Sequence, residues 1–144
     1  MRLRCELNMA KTLAPAQPAT LVFALTNTGS EAIQILNWQT PFEGIQAPMF
    51  TVSRAGLELD YRGIMLKRAA PRAQDYFTLA PGERRQASIE LAQGWDVTAP
   101  GKYTVEYAAR LFDVIAGKAT APSAPGAFTS LELDCASVAF VRQR

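Results

Sequence analysis

The sequence predicts an all-β chain folded as an antiparallel β-sandwich of about eight or nine short strands. Three observations carry that prediction. Apolar and polar residues alternate with a period of two along most of the chain, which turns one strand face inward and the other to water. Turn chemistry punctuates the pattern at Asn27-Thr28-Gly29-Ser30, Arg54-Ala55-Gly56, Ala80-Pro81-Gly82-Glu83 and Thr98-Ala99-Pro100-Gly101. No stretch keeps a helical spacing for longer than about two turns.

The elements follow in order. Leu3, Cys5, Leu7 and Met9 alternate with Arg4, Glu6 and Asn8 in a first strand. Pro15 and Pro18 then break the chain, because proline cannot donate to a ladder. Residues 21–26 form a second strand and residues 32–38 a third, followed by a loop over 40–44. Residues 50–52 and 57–61 flank the Arg54-Ala55-Gly56 turn as a hairpin. Ile64-Met65-Leu66 is a short apolar run after Gly63. Residues 76–79 and 87–91 make two more strands, and residues 103–108 another after Pro100-Gly101. Tyr103 either sets its hydroxyl against the backbone upstream, as at a sandwich corner, or is an ordinary half-buried tyrosine. The last strand runs over 131–135 and 138–141, and its inward parity changes between Cys135 and Val138, which predicts a bulge near Ala136-Ser137. Residues 116–130 are rich in Ala, Pro, Gly, Ser and Thr, with Lys118 their only charge. They read as a long flexible connection before that strand. Residues 1–144 are thus expected to form a single immunoglobulin-like β-sandwich domain.

Composition removes most chemistry. The chain has no histidine, which excludes His-containing zinc sites, Ser-His-Asp and Cys-His catalysis and a histidine pH switch. Cys5 and Cys135 are the only thiols, too few for a four-cysteine zinc or iron–sulfur site within one chain. Asp60, Asp75, Asp96, Asp113 and Asp134 are scattered without the spacing of a calcium loop, and no glycine-rich phosphate loop occurs. Neither an enzymatic activity nor a cofactor is expected. A net charge of +2 is too weak a bias for nucleic acid. No apolar stretch approaches the ~20 residues of a membrane span.

Met1-Arg2-Leu3-Arg4-Cys5-Glu6 lacks the apolar run and cleavage site of a signal peptide. The chain as written reads as cytoplasmic; an upstream signal already removed would leave the same sequence on a periplasmic or secreted protein. Cys5 and Cys135 fall on inward positions of the first and last strands. A bond between them would close a loop worth roughly 4–5 kcal/mol in the chain-entropy model. The alternative is two buried reduced thiols acting as small apolar residues, and the missing signal peptide favours it.

A further pattern spans more than half the chain. It runs through Thr26-Asn27-Thr28-Gly29-Ser30, Leu36-Asn37-Trp38-Gln39-Thr40-Pro41, Tyr61-Arg62-Gly63 and Lys67-Arg68-Ala69-Ala70-Pro71. Asp75-Tyr76, Leu79-Ala80-Pro81-Gly82-Glu83 and Gly101-Lys102-Tyr103-Thr104-Val105-Glu106-Tyr107 complete it. In order and spacing, residues 25–107 resemble the non-catalytic β-rich N-terminal domain of some bacterial secreted zinc metallopeptidases of the deuterolysin/peptidyl-Lys endopeptidase family. In that family the region precedes the catalytic domain, and in some members it is a propeptide that blocks the enzyme and assists its folding. The resemblance implies the scaffold and a protein partner, a zinc metallopeptidase. It does not imply peptidase activity, because this chain has no His-Glu-x-x-His motif.

The implied function is a non-catalytic, propeptide-like inhibitor or chaperone of a metallopeptidase, acting by steric occlusion. The alternative is a structural or adhesion-type immunoglobulin-like module with no peptidase partner, assembling through an edge strand. An inhibitory domain needs an anchor that fills a pocket, and Trp is a favoured one. Trp38 with Thr40, Pro41 and Phe42 forms such a plug, or else Trp38 packs in the core. Lys67 and Arg68, near Arg72, form a basic loop that docks on an acidic surface, or else a solvated loop whose charges protect a sheet edge. Trp95 reads as a loop residue folded onto the edge of the core.

Overall fold

Leu3, Cys5 and Leu7 turn inward and Arg4, Glu6 and Asn8 outward along β1 (Leu3–Asn8), the two-residue period of a strand with one wet face. The computed structural model describes residues 2–124 and 126–144; Met1 of the N-terminal segment and Pro125 of the 116–130 connection lie outside the described residues. After β1 come β2 (Thr12–Leu13), β3 (Thr20–Asn27), β4 (Ile33–Leu36), β5 (Phe50–Arg54), β6 (Leu57–Glu58) and β7 (Tyr76–Leu79). Then follow β8 (Arg84–Glu90), β9 (Gly101–Tyr107), β10 (Arg110–Leu111), β11 (Val114–Ala116), β12 (Leu131–Glu132) and β13 (Val138–Arg142). The helical pieces among the described residues are the 3₁₀ turns Pro41–Glu43, Ala73–Asp75 and Leu91–Gln93.

The strands form a β-sandwich, as the alternation predicts. One sheet has the order β1-β3-β8 and the other the order β2-β13-β9-β5-β6. A third, β11-β4-β7, and the ribbon β10-β12 complete the fold. Leu21, Phe23 and Leu25 of β3, Val52 of β5, Tyr103 and Val105 of β9 and Phe140 of β13 are all buried in one core cluster. Such burial is worth about 1.5–3 kcal/mol for each large apolar side chain. Tyr103 stacks on Phe140 with centroids 4.7 Å apart, and its hydroxyl donates to the Ala99 carbonyl at 2.6 Å. That bond settles the choice for Tyr103 in favour of the corner. The Ala55-Gly56 turn has φ of 51° and 83°, the double positive φ of a two-residue hairpin loop whose twist matches its strands.

Several local features differ from expectation. Strands β2, β10 and β11 hold two or three residues each, too few to show a period. The final strand is broken rather than bulged: β12 pairs with β10, whereas β13 pairs with β9. The sandwich is not wholly antiparallel, since β13 pairs with β2 in parallel. The thiols are bonded rather than reduced. Cys5 and Cys135 form a parallel bridge, with Cα atoms 4.9 Å apart and a disulfide between them.

The 116–130 connection begins within β11 and is tied down by a buried aspartate. Asp113 accepts hydrogen bonds from the Tyr76 hydroxyl at 2.6 Å, the Ser123 hydroxyl at 2.7 Å and the Thr129 N–H at 2.8 Å. Burial, with the Asp113 bond and charge adding to it, pushes the Tyr76 phenol from 10.0 up to about 12. In that interval the unfolded chain has lost a proton that the folded chain keeps. The Tyr76 contribution to stability is therefore full below pH 10 and lost as the pH rises towards 12. Urea unfolding of the Tyr76→Phe variant should lose less stability than the parent between about pH 9.5 and pH 11.5; parallel curves would refute this role for Tyr76.

Candidate functional site

The two segments nominated from sequence meet at one corner. Thr40 caps the Pro41–Glu43 turn: its hydroxyl accepts from the Phe42 N–H at 3.3 Å and donates to the Asn37 carbonyl at 2.7 Å. Proline at the first position suits such a turn, because its missing N–H would have no partner there. Gln39 sits at φ 63°, and its carbonyl accepts the Tyr107 hydroxyl at 2.7 Å. The segment is thus fixed by bonds on both sides of Thr40.

Trp38 does not project from the surface. It is 8% exposed, with its ring 5.4 Å from Phe112 and the Arg68 guanidinium 5.1 Å above it. Thr40 and Pro41 are also buried. Phe42 is half-buried and meets Phe23 and Phe77 edge-on at 5.4 Å and 5.0 Å. Arg68 also pairs with the Glu43 carboxylate, which accepts the Gln39 N–H at 3.0 Å. Burial raises the Glu43 carboxyl above its ordinary range, opposed by the Gln39 bond and Arg68. Lys67 is exposed and has no carboxylate partner among the described residues.

A shallow depression of about 360 Å³ results, lined by Trp38, Leu66, Lys67, Arg68, Arg72 and Asp75 among others. Sequence spacing nominated Trp38 and Arg68 separately; the fold stacks one on the other. It also brings in Glu43 and Leu66, which the sequence reading passed over. The signal for Leu66 was there, in three apolar residues placed directly before Lys67 and Arg68. The site sets the cations Lys67, Arg68 and Arg72 near the carboxylates of Glu43 and Asp75 and against an aromatic ring, a grouping suited to binding a charged surface. A larger depression of about 560 Å³ lies around Arg2 and the turn Asn27–Glu31; turn residues line it, without a catalytic grouping. No cluster of three metal-binding side chains occurs among the described residues, and no helix among them is long and apolar enough to cross a membrane.

Because Trp38 is buried, Trp38→Ala should cost about 3 kcal/mol, near the lower end for emptying a large aromatic site that keeps one edge at the surface. Equilibrium urea unfolding checks this, and a loss below about 1 kcal/mol would show that the ring contributes little to packing.

Trp95 is buried and packs edge-on against Phe50 at 6.3 Å and Tyr61 at 5.3 Å, in line with its reading as a loop residue on the core edge.

The chain is similar to several known proteins. Over 83 residues the chain is 40% identical to an extracellular protease of Aeromonas hydrophila, a match covering 58% of this chain and 24% of that protein. Over 86 residues it is 29% identical to a neutral protease 2 homologue of Uncinocarpus reesii, again 58% of this chain and 24% of that protein. The chain therefore spans about a quarter of the length of the curated relatives it matches. Among solved structures, the CARDB domain of a Pyrococcus furiosus protein, in complex with di-metal ions, is 10% identical with a TM-score of 0.42. That match covers 99% of this chain and 88% of that one, and is too distant to bear on function. The family model of an immunoglobulin-like domain, which is not a catalytic family, matches residues 6–121. With that match covering most of its length, the chain belongs to the immunoglobulin-like domain family.

Proposed function

We propose that this domain binds a metallopeptidase and acts as its propeptide-like inhibitor or chaperone, by covering the enzyme rather than by any chemistry of its own. The observation that carries the reading is the 40% identity to part of an extracellular protease. In both relatives, which are named as proteases, the matched stretch is about a quarter of the length, and a domain carried beside a catalytic unit would have a surface fitted to it. The absence of histidine from the sequence supports a non-catalytic role.

The contact surface in this proposal is the basic loop over the Trp38 corner. Lys67 and Arg68 meet an acidic surface of the enzyme, which speeds encounter and sets orientation. Trp38 and Glu43 hold Arg68 from beneath, and Thr40, Pro41 and Phe42 form the turn next to Trp38 that completes the proposed contact surface. The Cys5–Cys135 bond supports work in an oxidising compartment, periplasmic or extracellular, where such bonds persist.

The test is to add the purified chain to the mature Aeromonas hydrophila extracellular protease and follow hydrolysis of a fluorogenic peptide. Activity should fall saturably, with an apparent Kd of about 1 μM or tighter. Unchanged hydrolysis together with no heat of binding by calorimetry would overturn the proposal.

A further inference from the structure

Ile64, Met65 and Leu66 stand 59%, 71% and 52% exposed. Three consecutive large apolar side chains in water are costly, and a slack loop would fold them back onto the core. This loop is held on both sides. Before the tip, the Arg62 N–H donates to the Gly94 carbonyl at 2.7 Å, and the Tyr61 hydroxyl donates to the Ile64 carbonyl. The Tyr61 ring is itself seated against Trp95. At the far end of the tip, the Leu66 N–H donates to the Gln46 carbonyl at 2.9 Å. Gly63 permits the first anchor: a Cβ there would lie 2.8 Å from the Gln93 carbonyl oxygen and 2.6 Å from Cζ of Tyr61. Any larger residue would push the loop off its seat.

Between the anchors, no hydrogen bond among the described residues uses the Met65 N–H or carbonyl. On so exposed a residue these main-chain groups are left to solvent, free to bond to another chain. A cleft that binds peptide backbones satisfies them by strand-like pairing, whereas a lipid surface does not. Directly beyond the tip stands Lys67, exposed and without a carboxylate partner among the described residues.

We propose that Ile64-Met65-Leu66 is the anchor that enters the substrate cleft of the metallopeptidase in an extended, substrate-like pose, with Lys67 meeting an acidic rim. The inference rests on the peptidase-binding reading above and deepens it. It moves the anchor from the buried Trp38 to the segment the fold displays. The loop is already ordered by its anchors, so little conformational freedom remains to be lost on binding.

The test titrates three proteins against the Aeromonas hydrophila extracellular protease: the parent chain, I64S/M65S/L66S, and K67E. The triple variant should inhibit about 30-fold less well or worse, the loss that one hot-spot anchor carries. K67E should weaken inhibition about tenfold, less so at high salt. Thermal melting of both variants should match the parent, because the altered side chains are exposed. Should the triple variant melt early, K67E, which breaks no described bond, decides alone. Inhibition by the parent with both variants equally potent overturns the loop assignment and leaves the peptidase reading standing. No inhibition by the parent overturns both. The assignment also falls if the tip instead drives dimerisation in sedimentation, or flotation with phosphatidylserine vesicles, while leaving inhibition unchanged.

Discussion

Reducing the Cys5–Cys135 bond will lower the unfolding free energy by up to about 5 kcal/mol, the chain-entropy value for so long a loop. The bond spans 130 residues of sequence, so it removes more freedom from the unfolded chain than a short-range bridge would. Native strain or residual denatured-state structure would reduce the loss towards about 2 kcal/mol. In urea this is a fall in midpoint of about 2 M at ordinary slopes. The Cys5→Ala/Cys135→Ala variant should show the same fall without reductant. Alanine is the better replacement than serine because Cys5 is buried against the core, where an unpaired hydroxyl adds its own penalty. A midpoint indifferent to reductant would mean that the unfolded chain is already confined in the same way.

Arg142→Met is expected to cost about 2–4 kcal/mol. Arg142 is buried at the end of β13, and its guanidinium binds carbonyls instead of a carboxylate. Nε and Nη2 donate to the Val97 carbonyl at 3.1 Å and 2.9 Å, and Nη1 donates to Ala14 and Gln17 at 2.9 Å and 2.6 Å. The planar fork of arginine can span three acceptors at once, which lysine, a point charge, cannot. Methionine keeps the stem but leaves the buried Val97 oxygen without a donor, the largest part of the loss. Ala14 and Gln17 are exposed, so their carbonyls recover water. The amides of Thr12, Leu13, Ala14, Ala16 and Gln17 should then exchange faster with solvent than in the parent. Stability within about 0.5 kcal/mol of the parent would show that water replaces the guanidinium at no cost.

The long strands were legible because burial imposes parity. Leu21, Phe23 and Leu25 could face only one way, and their spacing reveals it. The Ala55-Gly56 turn was legible from glycine beside a tight hairpin. Arg142 was not, because a charge in a strand reads as outward facing. Its burial depends on three carbonyls brought from residues 14, 17 and 97, which no local window contains. Asp113 hid in the same way, since its donors come from Tyr76, Ser123 and Thr129. Both cysteines were seen to point inward, but their bond depends on β1 lying beside the segment before β13. At the candidate site, Lys67 and Arg68 drew notice as charges, and Trp38 as an aromatic. What spacing could not reveal is that Arg68 closes over Trp38 and leaves the apolar run before it in solvent.

The long covalent circuit closed by Cys5 and Cys135 also governs what a cut does. Any nick between those two residues, the exposed 62–68 loop included, divides the backbone yet releases neither piece, since the sulfurs still join them. The halves stay at high effective concentration and can keep their strands paired. A protein that rests against a peptidase would in this way outlast its own cleavage. On a gel the clipped form would run as one band until a reducing agent splits it in two.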